Sequence, residues 1–355
     1  MSTRESVTLG STENVFDGTL LVGGKIYGLT NGSPAKLLVW DNPDDLATYS
    51  VVTFTESGHL FADTQSLIYN STTGLIYAGF GYDYNDDPGT FPVVAINPTD
   101  LSWSVLIRDA FGTDGLNTGP VLLESDDTYL YVATFAVGEP STLRRYLLDG
   151  TFVNELQLPT GARQCHVLRK YGSRLYVSGT KTSGGVNWWF GWVELDLSAA
   201  SIMTVGANLT GNDDSIEVGD EVWIPCETDG NVYRLKKDLS GFSTIYTGAY
   251  GMIDSIVSDG TYVWVSRWDT PGSLIKIDPT TYSVVSTTAL LTGETQPNEL
   301  LPWNDCLVVF CTAGGGHNAR AIRVPGLVAM PFLMLEDGSG AYELEDASGG
   351  ILLEA

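Results

Sequence analysis

The chain has 355 residues, of which 43% are hydrophobic and 17% charged, and its formal charge is −25. That apolar content is enough for a large core, and so few charges exclude a disordered chain. The acidic field repels nucleic-acid phosphates and anionic membrane surfaces, so neither DNA or RNA binding nor membrane insertion is expected.

Forty glycines, scattered among Asp, Asn, Ser and Thr, are the composition of many short strands and turns. The opening MSTRESVTLGST has no apolar core of a secretory signal, so synthesis in the cytoplasm is expected. Residues 1–15 read as an N-terminal arm, with ESVTLG (5–10) as a strand able to close a ring.

From residue 16 one phrase returns: a turn, then an apolar–aromatic–apolar strand. It reads GGKIYGLT (23–30), TGLIYAGF (73–80), DTYLYVAT (127–134), GSRLYVSG (172–179), GDEVWIPC (219–226), DGTYVWVS (259–266) and NDCLVVFC (304–311). The central positions are Tyr27, Tyr77, Tyr131, Tyr176, Trp223, Trp264 and Val308. A second strand follows each and usually ends in Asp or Asn with a turn, as in LLVWDNPD (37–44), VVAINPTD (93–100) and LIKIDPTT (274–281). The seventh, AIRVPGL (321–327), lacks the acid. A further strand comes next, as in YSVVTF (49–54) and YSVVST (282–287), and an apolar stretch such as SLIYN (66–70) precedes each aromatic strand.

Four strands in about 45 residues, seven times over, predict an all-β seven-bladed β-propeller across residues 16–333. One four-stranded sheet cannot bury both of its faces; blades stacked round an axis bury each other. The middle strands then lie between neighbours, so runs such as LIYAGF need no polar alternation. Closure by residues 5–10 on the seventh blade is favoured over closure by VAMPFLML (328–335).

Chemistry is sparse. His59, His166 and His317 sit in different units without metal-ligand spacing. Cys165, Cys226, Cys306 and Cys311 form no CxxC pair and read as free buried thiols. No nucleophile elbow or phosphate loop occurs, so no catalytic residue is assigned and no enzyme is expected. Acid-rich turns such as YDYNDDPG (82–89) and GNDDSIEVGD (211–220) offer oxygen ligands for Ca²⁺, but solvated turn acids are the simpler reading and no cofactor is assigned.

In a propeller the loop between a blade's second and third strands emerges on the same face as the link to the next blade. Tyr82, Tyr84, Trp188, Trp268 and His317 fall in such loops and are the candidate binding residues. For Trp188 and its neighbour Trp189, packing between blades is the competing reading.

The chain ends LEDGSGAYELEDASGGILLEA (335–355), with Leu335, Leu344 and Leu353 each followed by Glu. The segments LML, YELE and ILLE, split by DGSGA and DASGG, predict a short meander that docks on the propeller or adds to another sheet edge, with a disordered acidic tail as the alternative. Residues 334–355 thus form an acidic attachment or oligomerisation tail. These tandem phrases resemble those at the ends of virion-associated proteins of tailed bacteriophages. The resemblance covers only about residues 333–355. It implies a non-enzymatic virion component: a fibre, a head or neck decoration, or a tail piece, made in the host cytoplasm. Its implied partners are other virion proteins, sister subunits, and a host surface glycan or protein. A carbohydrate-binding or glycan-processing propeller and a cytoplasmic interaction scaffold are the alternatives.

Overall fold

A computed structural model describes residues 3–10, 13, 16–56, 59–83, 92–108, 117–136, 140–180, 187–207, 214–248, 251–312, 318–327, 332–334 and 341–343. All regular structure in it is β. Seven antiparallel sheets follow one another, each written here from inner to outer strand. Blade 1 is Phe16–Val22, Lys25–Thr30, Lys36–Trp40 and Ser50–Thr53. Blade 2 is His59–Asn70, Leu75–Asp83, Val93–Ile96 and Trp103–Ile107, with Thr55–Glu56 paired to the start of its inner strand. Blade 3 is Asn117–Ser125, Tyr129–Ala136, Thr142–Leu147 and Phe152–Gln157. Blade 4 is Cys165–Tyr171, Arg174–Thr180, Asn187–Glu194 and Ala200–Ala207. Blade 5 is Ile216–Val218, Glu221–Pro225, Val232–Lys236 and Phe242–Ile245. Blade 6 is Ile253–Ser258, Val263–Arg267, Ser273–Ile277 and Val284–Ala289. Blade 7 is Pro297–Trp303, Cys306–Cys311 and Arg320–Pro325, and its outer strand is Glu5–Thr8 from the other end of the chain.

That last pairing closes the ring, in the register Glu5↔Arg323 to Thr8↔Arg320. Residues 332–334 do not join blade 7. They pair with 341–343 in a separate hairpin, Phe332↔Glu343 and Met334↔Ala341. The alternative closure through 328–335 is therefore not the one adopted.

The recurrent positions explain why the sheets stack. Among the described residues seven apolar clusters fill the seams, and each holds one of these positions. Tyr27 packs with Phe80 and Ile96 of blade 2, and Tyr77 with Leu130 and Tyr146 of blade 3. Tyr131 meets Leu175 and Val193 of blade 4, and Tyr176 meets Ile224 and Tyr233 of blade 5. Trp223 lies with Val265 and Ile275 of blade 6, Trp264 with Leu307 and Val309 of blade 7, and Val308 with Phe16 and Trp40 of blade 1. All seven are buried. A large ring with a polar tip suits this place, because its body fills the seam while its tip reaches a turn. Tyr27 Oη donates to Pro98 O at 3.2 Å, Tyr77 Oη to Leu148 O at 3.3 Å and Trp264 Nε1 to Asp259 at 2.7 Å.

The Asp/Asn turns also have a mechanism. Asn42, Asn97, Asp149, Asp196, Asp238 and Asp278 each accept the backbone N–H two residues on, at 2.7–3.0 Å. The side chain thus holds the hairpin between third and outer strands, as an Asx turn does. Bonds from the following Ser or Thr hold the Asp149, Asp196, Asp238 and Asp278 carboxyls below the ordinary range. In blade 6 the turn runs longer than the sequence suggests. Tyr282 takes a left-handed φ of 59°, so the outer strand starts at Val284 instead of 282.

Candidate recognition face and axial cluster

Strand polarity places the loops between second and third strands on one face, together with the links to the next blade. Of the candidates there, Tyr84 and His317 lie outside the described residues, as do Leu335, Leu344 and Leu353 of the tail. Tyr82 lies on the second strand of blade 2 opposite Ala62, and its side chain is outside the description.

Trp188 follows the reading of packing between blades, which corrects its place among the binding residues. It is 0% exposed and meets Tyr233 of blade 5 edge-on, with ring centroids 5.1 Å apart. Trp189 faces the other way into the blade 3–4 seam and donates to Arg163 O and Thr180 O. Successive residues of a strand point to opposite faces. The Trp-Trp pair therefore fills two seams and stacks on no ligand.

Trp268 is half-buried on the loop face of blade 6. Its backbone N–H donates to Met252 O at 2.8 Å, and its backbone carbonyl lies close to Gly251. Arg267 and Asp269 pair on either side of it. These contacts tie Trp268 to the blade 5–6 connection, which begins at Tyr246. Tyr246 is 66% exposed, the most exposed large hydrophobic residue described, and Leu291 in the next connection is 56% exposed. The described part of the loop face thus concentrates apolar surface over blades 5 to 7. Sequence reasoning missed Tyr246 because FSTIYT reads as a strand to its end, whereas the strand stops at Ile245.

A second cluster lies at the axis. Arg169, on the inner strand of blade 4, feels the fields of Glu124, Asp214 and Glu299, which belong to blades 3, 5 and 7. Only a side chain at the hub can meet groups from so many blades. Asp214 Oδ1 lies 3.8 Å from the guanidinium. Its Oδ2 accepts Ser255 Oγ at 3.0 Å and Ile256 N at 2.9 Å, both from blade 6. Burial pushes the Asp214 carboxyl above the usual carboxylate range, against the opposing pull of Arg169 and these donors. The arrangement is repeated round the ring. Lys170 N donates to Glu124 at 2.9 Å, Leu123 N to Ser66 Oγ at 2.9 Å, and Leu300 N to Ser255 Oγ at 3.2 Å. Thr19 Oγ1 donates to Glu299 at 3.1 Å, and Tyr171 Oη to Ser215 O at 2.9 Å. Blades 1 and 2 instead approach by backbone, since a Cβ on Gly18 would sit 3.1 Å from Leu67 Cβ.

The carboxylates here bridge inner strands and balance one guanidinium. Their chemistry is that of a polar girdle holding the blades in register. Among the described residues no three His, Cys, Asp or Glu side chains gather as a metal-ligand set. The four cysteines are buried, and none is in a disulfide.

No family model matches the chain, and no curated protein does. Solved structures do. The WD40 β-propeller domain of Doa1 superposes with a TM-score of 0.62 at 11% identity, over 91% of this chain and 96% of that one. A chain of the mitotic checkpoint complex gives 0.60 at 10% identity, over 90% and 91%. The computationally designed protein Ika8 gives 0.56 at 12% identity, over 89% and 98%. At such identities the likeness is one of fold alone, that of a β-propeller; by its own sheets the chain is a seven-bladed β-propeller closed by its own N-terminal strand.

Proposed function

We propose that this protein is a non-enzymatic structural component of a tailed-phage particle. Its propeller presents a recognition face and its C-terminal repeat makes the attachment. The observation that carries the reading is the tail itself. Beyond the closed ring, three Leu-Glu units follow one another, and strands at 332–334 and 341–343 pair as a hairpin. An isolated two-stranded hairpin is marginal in water, so it gains from a further edge to pair with. The propeller behind it supports a display role. Its hub is cross-bonded and its loop face carries Tyr246, Trp268 and Leu291, the amphipathic and apolar groups that anchor protein or glycan partners.

The test is a chain lacking residues 334–355, supplied in place of the full chain during particle assembly. It is expected to fold with an unchanged β spectrum and to be missing from purified particles. Incorporation at the level of the full chain would overturn the attachment role.

A further inference from the structure

We propose that the outer strand of blade 6, Val284–Ala289, is an interface at which two copies of this chain join edge to edge. The inference deepens the structural role above by assigning a contact between sister subunits, and it does not involve the tail. An outer strand leaves a row of backbone donors and acceptors unpaired, and proteins guard such edges with charge, proline, bulges or burial. Blade 3 guards its edge with Glu155, paired to Arg144 at 2.8 Å. Blade 4 has an uncharged outer strand, Ala200–Ala207, but its described side chains are mostly half-buried. Blade 7 ends on Glu5, beside Arg323.

Blade 6 has almost none of these guards. Residues 280–293, TTYSVVSTTALLTG, contain no charge in a chain that carries −25. Five of the strand's six residues are exposed, with Val284 at 37% and Val285 at 51%. Ser286 and Thr287, in the regularly paired part, point to opposite faces and are both exposed, so neither face is covered by a neighbouring blade. A single register shift lies at its start, and from Lys276↔Ser286 to Ser273↔Ala289 the pairing beneath it is regular.

The partner follows from charge. Two copies repel through most of their surface, because each is strongly acidic. Contact along 280–293 brings no carboxylate of either strand opposite another. An antiparallel edge is also self-complementary, since each strand offers the other the same alternating donors and acceptors, and this is the requirement of a two-fold interface.

The experiment is multi-angle light scattering of the full chain over a concentration series, with amide exchange of residues 284–289 at both ends of the range. Expected are a mass rising to twice that of the chain and protection of these amides only in the dimer. Val285→Lys and Ser286→Lys, both at exposed positions, should each return the mass to the monomer with unchanged melting. Val51→Lys, on the 43%-exposed edge position of blade 1, should leave the dimer intact. A monomer at every concentration, or a dimer that survives both blade 6 variants, would overturn the proposal. So would a dimer lost equally in Val51→Lys, or one whose 284–289 amides exchange as in the monomer.

Discussion

Replacing Arg323 tests whether ring closure depends on one buried cation. Its side chain is 7% exposed. Nε donates to Thr3 O at 3.1 Å, tying blade 7 to the N-terminal strand. Nη1 reaches Asp44 at 3.0 Å and Pro43 O at 3.4 Å on the turn of blade 1, and Nη2 lies 3.5 Å from Glu5. One guanidinium therefore joins three separate stretches of chain. Removing one partner of a buried ion pair typically costs about 3–5 kcal/mol. Here Asp44 is 54% and Glu5 23% exposed, so water recovers part of their solvation and their share is discounted. The two backbone carbonyls keep most of theirs, at about 1–1.5 kcal/mol each. Arg323→Ala should thus lose about 2–3 kcal/mol, and Arg323→Lys at least half as much, because a point charge cannot bridge all three. The assays are urea unfolding and amide exchange of Glu5–Thr8, which should quicken selectively. A loss below about 0.5 kcal/mol, against a usual cost of this size, would refute the reasoning. So would N-terminal amides that exchange as in the wild type.

Other outcomes follow from the same geometry. A Cβ on Gly179 would lie 2.2 Å from Gln164 O and 2.6 Å from Arg163 O, so Gly179→Ala should destabilise by more than about 3 kcal/mol in a melting experiment. Gly24 has φ of 75° and open space around it, so Gly24→Ala should cost only about 1 kcal/mol by the same measurement. Burial pushes the Cys226 and Cys306 thiols up to about 12, leaving roughly one thiolate in ten thousand at pH 8. Iodoacetamide should therefore spare both until the chain is unfolded, and rapid native labelling would contradict the packing. Tyr246→Ala should leave the melting temperature unchanged while weakening capture of whatever the loop face binds; equal binding by the variant would remove Tyr246 from the recognition surface.

The blades were legible because each must solve the same packing problem with the same kind of residue. Tyr27, Tyr77, Tyr131, Tyr176, Trp223 and Trp264 repeat because six seams each need a ring, and Val308 marks the seventh, where Phe16 and Trp40 fill the volume from blade 1. The Asp and Asn turns were legible through their hydrogen bond two residues on. The surface was harder to read. Trp188 allows both a ligand platform and a packing residue in a string of letters, and the neighbouring blade decides between them, since Tyr233 occupies its edge. The axial group was invisible for a related reason. Glu124, Arg169, Asp214 and Glu299 are scattered along the chain and meet only because the ring brings every inner strand to one hub. Arg145, on a third strand away from the hub, was hard to read for the same reason, since its Nη1 donates to Leu195 O of the next blade at 3.0 Å.

The outer strand of blade 7 comes from residues 5–8, so the wheel cannot be completed during synthesis until its third strand, ending at Pro325, has left the ribosome. At about 5–20 residues per second, the growing arc spends on the order of 15–65 seconds as an open crescent. For that time the blade 1 flank bearing Phe16 and Trp40 waits without its partner. A cell making this protein must shield that flank or make the chain quickly, and slowing translation just before residue 297 should raise the yield of aggregates.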